Sequence, residues 1–384
     1  MTRSLVLALT LVAASLPTAA RGQAATVYLA FGDSITQGTG AIPNAPGYPA
    51  RLERILNNQG GNVRVENHGR GGETTVAGLS RIDGVLAGGG DVLLLMEGTN
   101  DVGAGISRET TLQNLNQMAG KAGNRGMSTI HATVIPRHPR ASPDADNRLT
   151  TLLNYGIRDL VRTRSARSLV DPFEVFLAQA NLFRDFYADN PGDRTGHPNG
   201  EGYELMAGAF ADVILERDTV PPVPLRVQPA NGATNVSRDV TIIVDIADLG
   251  TGVDAASVQL LLNGEEVQTQ AQTGNRLLSL RHAPPQRLLG VYEVSYRASD
   301  LATPANSITK LVSRFQTEGT RFIRGDLNQD GQVDGQDLVI MGWRFGGRRG
   351  IDSRYFAGFD FNNDGVLDGE DLAVIALNFG KRSF

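Results

Sequence analysis

Between Thr26 and Leu215 the chain alternates short apolar runs with amphipathic stretches, and several of the runs end in a polar, glycine-bearing turn. Thr26-Val27-Tyr28-Leu29-Ala30 leads into Phe31-Gly32-Asp33-Ser34-Ile35-Thr36. Asn62 to Glu66 leads into Asn67-His68-Gly69-Arg70-Gly71-Gly72-Glu73-Thr74, and Asp91 to Met96 leads into Gly98-Thr99-Asn100-Asp101. The first and third of these runs read as buried strands and Asn62 to Glu66 as a short alternating one, with Thr129 to Ile135 and Ser168 to Val170 as two more strands. Apolar residues at helical spacing over Gly47–Asn58, Val76–Leu86, Glu109–Ala122, Arg148–Arg164 and Gly202–Leu215 supply covering helices. The expected fold is a three-layer α/β unit built on a parallel sheet. Such sheets keep their ligand sites at the carboxyl ends of the strands. A fourth polar stretch, Asp193-Arg194-Thr195-Gly196-His197-Pro198-Asn199, precedes the last helix.

These turns contain the parts of an acyl-transfer site. Ser34 is a candidate nucleophile, with a helix N-cap serine as the bland alternative. His197 would take the Ser34 proton and return it to a leaving alcohol, while an aspartate holds the imidazole. The N–H groups of Ser34 and Gly72 and the Asn100 amide would bind the oxyanion. His131, inside a strand pattern, reads as structural. His68 and Arg70 lie beside the site, with substrate contact as one possibility for each. Arg137, His138 and Arg140 read as a solvated basic loop.

On these four blocks, residues 26–217 resemble the SGNH, or GDSL, hydrolase superfamily, and Ser34, Gly72, Asn100 and His197 match the residues that name it. The G-x-S-x-G elbow of the rival α/β-hydrolases is absent. The resemblance implies a flavodoxin-like fold and a carboxylic ester hydrolase working through an acyl-enzyme on Ser34, without a catalytic metal or other cofactor. The family usually places its acid three residues before the histidine. Arg194 stands there in this chain, so Asp193 is the favoured acid, by way of a bulge at Gly196. Asp189 and Asp185 are the alternatives.

Composition narrows the setting. A net charge of −5 with no long charged run points away from nucleic acid. The chain has no cysteine, which removes disulfides and thiolate metal sites. Met1-Thr2-Arg3, the apolar run Ser4 to Leu16, and small residues up to Ala24 read as a secretory signal peptide, too short to span a membrane. No later stretch is long and apolar enough to do so.

Pro221-Pro222-Val223-Pro224 reads as a linker. Beyond it, Val240–Ile246, Ser257–Leu262, Gly290–Arg297 and Ile308–Phe315 read as strands, with Asn263-Gly264 as a hairpin turn. A β-sandwich is expected over residues 219–320. Gly250-Thr251-Gly252-Val253-Asp254 and Tyr296-Arg297-Ala298-Ser299-Asp300 resemble bacterial Ig-like modules, which suggests a spacer or a weak carbohydrate binder.

Residues 321–384 carry an internal repeat. Asp326, Asn328, Asp330, Asp334 and Asp337, with the Gln332 carbonyl, follow the ligand spacing of an EF-hand loop. Asp360, Asn362, Asp364, Asp368 and Asp371, with the Val366 carbonyl, repeat it. Carboxylates converging this way repel unless a hard cation sits among them, so two structural Ca2+ ions are expected. Each loop runs into one apolar helix, ending at Phe345-Gly346 and Phe379-Gly380. The tail thus resembles a type I dockerin, a small all-α module, which implies a cohesin-bearing partner. Gly335-Gln336 and Gly369-Glu370 depart from the Ser/Thr and hydrophobic pair common in cellulosomal dockerins.

The expected organisation is a signal peptide (1–24), a hydrolase domain (25–218), an Ig-like sandwich (219–320) and a dockerin (321–384). The expected activity is hydrolysis of acyl esters, acetyl above all, on polysaccharide outside the cell or attached at its surface. The alternatives are a lipid or lysophospholipid esterase and a non-catalytic carbohydrate-binding attachment protein.

Overall fold

The structure, a computed structural model, describes residues 24–40, 46–138, 147–162, 169–188, 196–274, 276–318, 323–328, 330–349, 354–362 and 364–382. Residues 1–23 of the expected signal peptide lie outside the described residues, as do Arg140, Asp189 and Asp193.

The first unit follows the expected alternation. It runs β1 (Thr26–Gly32), α1 (Ser34–Gln37), α2 (Tyr48–Asn58), β2 (Val63–Gly69), α3 (Thr75–Leu86), β3 (Val92–Met96) and α4 (Thr99–Ala104). It continues with α5 (Arg108–Gly123), β4 (Ser128–Ala132), α6 (Arg148–Arg162), β5 (Leu169–Val170), α7 (Pro172–Leu177), α8 (Leu182–Asp185) and α9 (Gly200–Ile214). The five strands are parallel in the order β2-β1-β3-β4-β5. Side chains alternate across β1 with period two. Tyr28 and Ala30 join Tyr48, Leu52, Met206 and Phe210 on one face of the sheet. Leu29 and Phe31 join Ile82, Leu115 and Ile157 on the other. Both faces are thus buried, which explains why the central strands read as unbroken apolar runs. The strand order reverses at β1, with β2 on one side and β3 on the other, so the crevice at their carboxyl ends is the expected ligand position.

The second unit holds two antiparallel four-stranded sheets, a sandwich. Its strands are β6 (Val223–Gln228), β7 (Ile242–Ala247), β8 (Gln259–Leu262), β9 (Glu265–Val267), β10 (Gln270–Gly274), β11 (Leu277–His282), β12 (Val291–Ser299) and β13 (Ser307–Gln316). One sheet runs β10-β11-β7-β6 and the other β13-β12-β8-β9. Asn263 and Gly264 turn β8 into β9 with φ of 51° and 83°, the backbone a tight hairpin needs. The linker reading of Pro221–Pro224 is corrected, because β6 begins at Val223 and contains Pro224. The strand tolerates proline because it lies at a sheet edge, with an irregular register between Pro224 and Arg226.

The sandwich is docked on the α/β unit through a buried cation. Arg158 of α6, with none of its side chain exposed, pairs with Asp171 at 2.7 Å and Glu174 at 2.8 Å. It also donates to the Pro224 carbonyl of β6 at 3.1 Å. Lys310 of β13 pairs with Glu174 from the sandwich side.

In the tail, α10 (Gly335–Arg344) and α11 (Gly369–Asn378) each start on a capping box, Asp334 with Asp337 and Asp368 with Asp371. Leu327, Val333, Met341 and Ile375 form its small core. Among the described residues, no helix is long and apolar enough to cross a membrane.

Candidate active site

The Ser34 turn is built by its neighbours. Gly32 lies so close to β3 that an added Cβ would sit 2.3 Å from the Met96 carbonyl oxygen, so no side chain fits. Asp33, not Ser34, is the N-cap of α1, and its carboxylate accepts from the Ile35 N–H at 2.8 Å. That settles the bland reading of the serine. Its hydroxyl is relieved of capping and instead lies 2.8 Å from His197 Nε2, across 163 residues of chain.

His197 is held by a tight loop. Gly196 has φ +69°, and a Cβ there would meet the His138 side chain at 2.2 Å. The His197 carbonyl accepts from Ala188 N–H at 2.9 Å, and Asn199 caps α9. His138 is buried edge-on against Phe183 and Tyr187. Arg137 is only 7% exposed and donates Nη1–H to the Thr99 carbonyl at 2.6 Å. The solvated reading of both residues is therefore corrected. Arg137 lines the site and His138 backs Gly196 behind it, and no periodicity in the sequence marks them.

Gly72 and Asn100 come from two segments tied together. Asn100 Nδ2 donates to the Glu73 carbonyl at 2.8 Å. Asp101, fully buried, accepts from Thr75 N–H at 2.9 Å and from the hydroxyls of Thr75 and Thr111. A cavity of ≈ 330 Å³ opens between them, lined by Ser34, Gly72, Asn100, Ile135, Arg137 and His197 among others. Burial pushes the Asp33 carboxyl up to about 6, opposed by the Ile35 N–H, the Thr99 hydroxyl and His197.

The remaining candidates fall elsewhere. His68 faces Glu66 on β2, with Nε2 3.2 Å from the carboxylate. Asp185, on α8, is paired with Arg184 at 2.6 Å. Asp193 and Asp189 lie outside the described residues.

The tail loops curl their acids inward. In the first, Asp326 accepts from the N–H groups of Asp330 and Gly331, and Asp337 accepts from those of Leu327, Asn328 and Asp334. Burial and the charges of Asp337 and Asp330 push the Asp326 carboxyl up to about 6. The all-oxygen donor set and its mutual repulsion fit a hard cation. In the second loop Asp360 and Asp371 accept in the same way, but Arg349 also pairs with Asp360, at 2.9 Å.

A serine–histidine pair at the switch point of a parallel sheet, backed by two donor-bearing loops, defines a hydrolase-type α/β domain. Residues 30–205 match the GDSL-like Lipase/Acylhydrolase family, and residues 324–378 match the Dockerin type I domain. The chain therefore carries a GDSL lipase/acylhydrolase domain followed, beyond the sandwich, by a C-terminal type I dockerin. Over 108 residues it is 34% identical to Esterase TesA of Pseudomonas aeruginosa, covering 28% of this chain and 53% of that protein. The chain thus spans about half the length of that curated relative. Similar solved structures include a lipase/acylhydrolase from Enterococcus faecalis, with 23% identity, TM-score 0.42, and 49% of this chain against 95% of that one. An acetylxylan esterase from Geobacillus stearothermophilus is another, with 22% identity, TM-score 0.40, and 49% of this chain against 94% of that one.

Proposed function

We propose that this protein is a secreted carboxylic ester hydrolase whose nucleophile is Ser34. The Ser34–His197 hydrogen bond carries the reading. Ser34 Oγ attacks the ester carbonyl as His197 Nε2 takes its proton. The tetrahedral oxyanion is bound by the N–H groups of Ser34 and Gly72 and by Asn100 Nδ2. His197 then protonates the departing alcohol, and water releases the acyl group by the same steps reversed. Asp193 is the proposed orienting acid. The proposed units keep the divisions at 24, 218 and 320.

The substrate reading is acyl, chiefly acetyl, esters on polysaccharide. It rests on the attached dockerin, a module for docking on cohesin-bearing proteins outside the cell, rather than on a residue of the site. Asp326, Asn328, Asp330, Gln332, Asp334 and Asp337 would hold one Ca2+. Asp360, Asn362, Asp364, Val366, Asp368 and Asp371 would hold a second.

Ser34→Ala is expected to lower turnover of a short-chain aryl ester by about 10⁶-fold, and Asn100→Ala by about 10²–10³-fold. Both should keep the wild-type circular dichroism spectrum. Asp193→Ala against Asp189→Ala identifies the acid. A panel of acetylated xylan, aryl esters and lysophospholipid decides the substrate. A preference for lysophospholipid would replace the polysaccharide reading, and no turnover of any ester would leave a binding module.

A further inference from the structure

Glu97 directly follows β3 and precedes the Gly98-Thr99-Asn100 segment, and the proposed mechanism gives it no task. It is 1% exposed, and neither carboxyl oxygen meets a hydrogen-bond donor. Room for it is made by α3, where a Cβ on Gly78 would stand 2.5 Å from a Glu97 oxygen. Its neighbours are acids. The Glu73 carboxyl lies within hydrogen-bonding reach, and Asp33 and Asp101 bear on it from the β1–α1 turn and from α4. Arg81 of α3 is engaged with Glu73. Its Nε lies 2.9 and 3.1 Å from the two Glu73 oxygens, and its Nη2 bonds to the same carboxylate.

Two carboxyl groups in contact, away from water, must share a proton. The forked guanidinium of Arg81 is taken up by Glu73 and offers nothing to Glu97, so Glu97 is the one that holds the proton. Burial, the Glu73 contact and the charges of Asp33, Glu73 and Asp101 all keep Glu97 protonated well above the usual carboxylate range. Glu73 directly follows Gly72, and its carbonyl fixes Asn100 Nδ2. The Glu97 O–H to Glu73 contact therefore joins the two segments that carry Gly72 and Asn100.

We propose that Glu97 is a positioning residue held as a neutral carboxylic acid, whose O–H donates to Glu73 and sets the spacing of the Gly72 and Asn100 oxyanion donors. No bond is made or broken in turnover. Loss of the proton at alkaline pH leaves two buried carboxylates facing each other, and the two donor segments part. The inference rests on the ester-hydrolase reading for its catalytic consequence but not for its proton.

The test compares wild type, Glu97→Gln and Glu97→Ala on an aryl ester across pH, alongside infrared spectra of the substrate-free full chain. Glu97→Ala should lose about tenfold or more in kcat, with KM changed by less than about threefold. Glu97→Gln, whose amide donates to Glu73 at any pH, should recover most of kcat and lack the wild type's alkaline decline. At neutral pH the wild type should show the carbonyl stretch of a protonated carboxylic acid, absent from Glu97→Gln. No such band in the wild type overturns the proposal. So does an alkaline limb that Glu97→Gln leaves unmoved. The band together with no ester turnover by the wild type upholds the protonated Glu97 and removes its catalytic role with the hydrolase reading.

Discussion

Asp33 and Ser34 divide between them the two tasks that a lone serine in that turn would have to share. Capping consumes the Asp33 carboxylate, and the serine hydroxyl goes to His197. The division has an energetic cost, because Asp33 is 1% exposed and its carboxyl is raised to about 6. A raised acid favours the fold while neutral, so its contribution is full below about pH 4 and is lost as pH rises through about 6. The distance of that value from an ordinary aspartate corresponds to roughly 3 kcal/mol at most. Asp33→Asn keeps an N-cap and does not titrate. Its stability relative to wild type, from urea midpoints of activity loss, should therefore rise between pH 4 and 6 and then level off. A flat difference would mean that Asp33 is not raised. Ser34 and His197 stood out in the sequence through polar turns at strand ends and a family resemblance, and the fold brings their side chains within 2.8 Å of each other. Arg137 did not stand out, because its task is to satisfy the Thr99 carbonyl, and only tertiary structure shows a basic side chain folded inward.

At the scale of elements, legibility followed burial. Central strands such as β1 and β3 are apolar on both faces and could be read directly. The edge strand β6 was hidden by Pro224 within it and the two prolines before it, and a strand accepts proline only where one side needs no hydrogen bonds. The paired tail loops were visible as a duplication, but their inequality was not. Arg349 pairs with Asp360 in the second loop, and among the described residues no basic side chain pairs with Asp326 in the first. A guanidinium on a ligand competes with a cation for the same oxygen, so the second loop should bind Ca2+ more weakly. Arg349→Ala should narrow the gap, read as two affinities in calorimetric titration. Equal affinities in the wild type would refute this. Helices α10 and α11 are ten residues each, too short to persist alone. Chelation should therefore remove their helical signal while ester turnover continues. Loss of turnover on chelation would place a metal requirement in the hydrolase domain.

For the molecule as a whole, one buried contact links the sandwich to the α/β unit. Arg158 reaches Asp171 and Glu174 within its own unit and Pro224 in the sandwich, 66 residues away. Burial would raise the Asp171 carboxyl, but the adjoining guanidinium holds it below its usual value. A buried ion pair of this kind adds little over a well-packed apolar substitute, yet removing one partner strands the other charges. Arg158→Ala leaves Glu174 with Lys310, and Asp171 with just the Thr133 hydroxyl and the Glu174 N–H among the described residues, and should cost about 3–5 kcal/mol. Arg158→Met fills the space but strands the same acids, so it should recover little. Combining Arg158→Met with Asp171→Asn and Glu174→Gln removes the stranded charge and should recover more. Lys310→Ala, which leaves the Arg158 pairs intact, should cost less than Arg158→Ala. Because the same side chain fastens β6, its loss should also separate the unfolding of the two units. In urea titrations followed by circular dichroism, wild type should show one transition for residues 24–318, and Arg158→Ala two. A single, merely displaced transition in Arg158→Ala would mean that the units are held together by their apolar contacts and that the buried cation only adds to them.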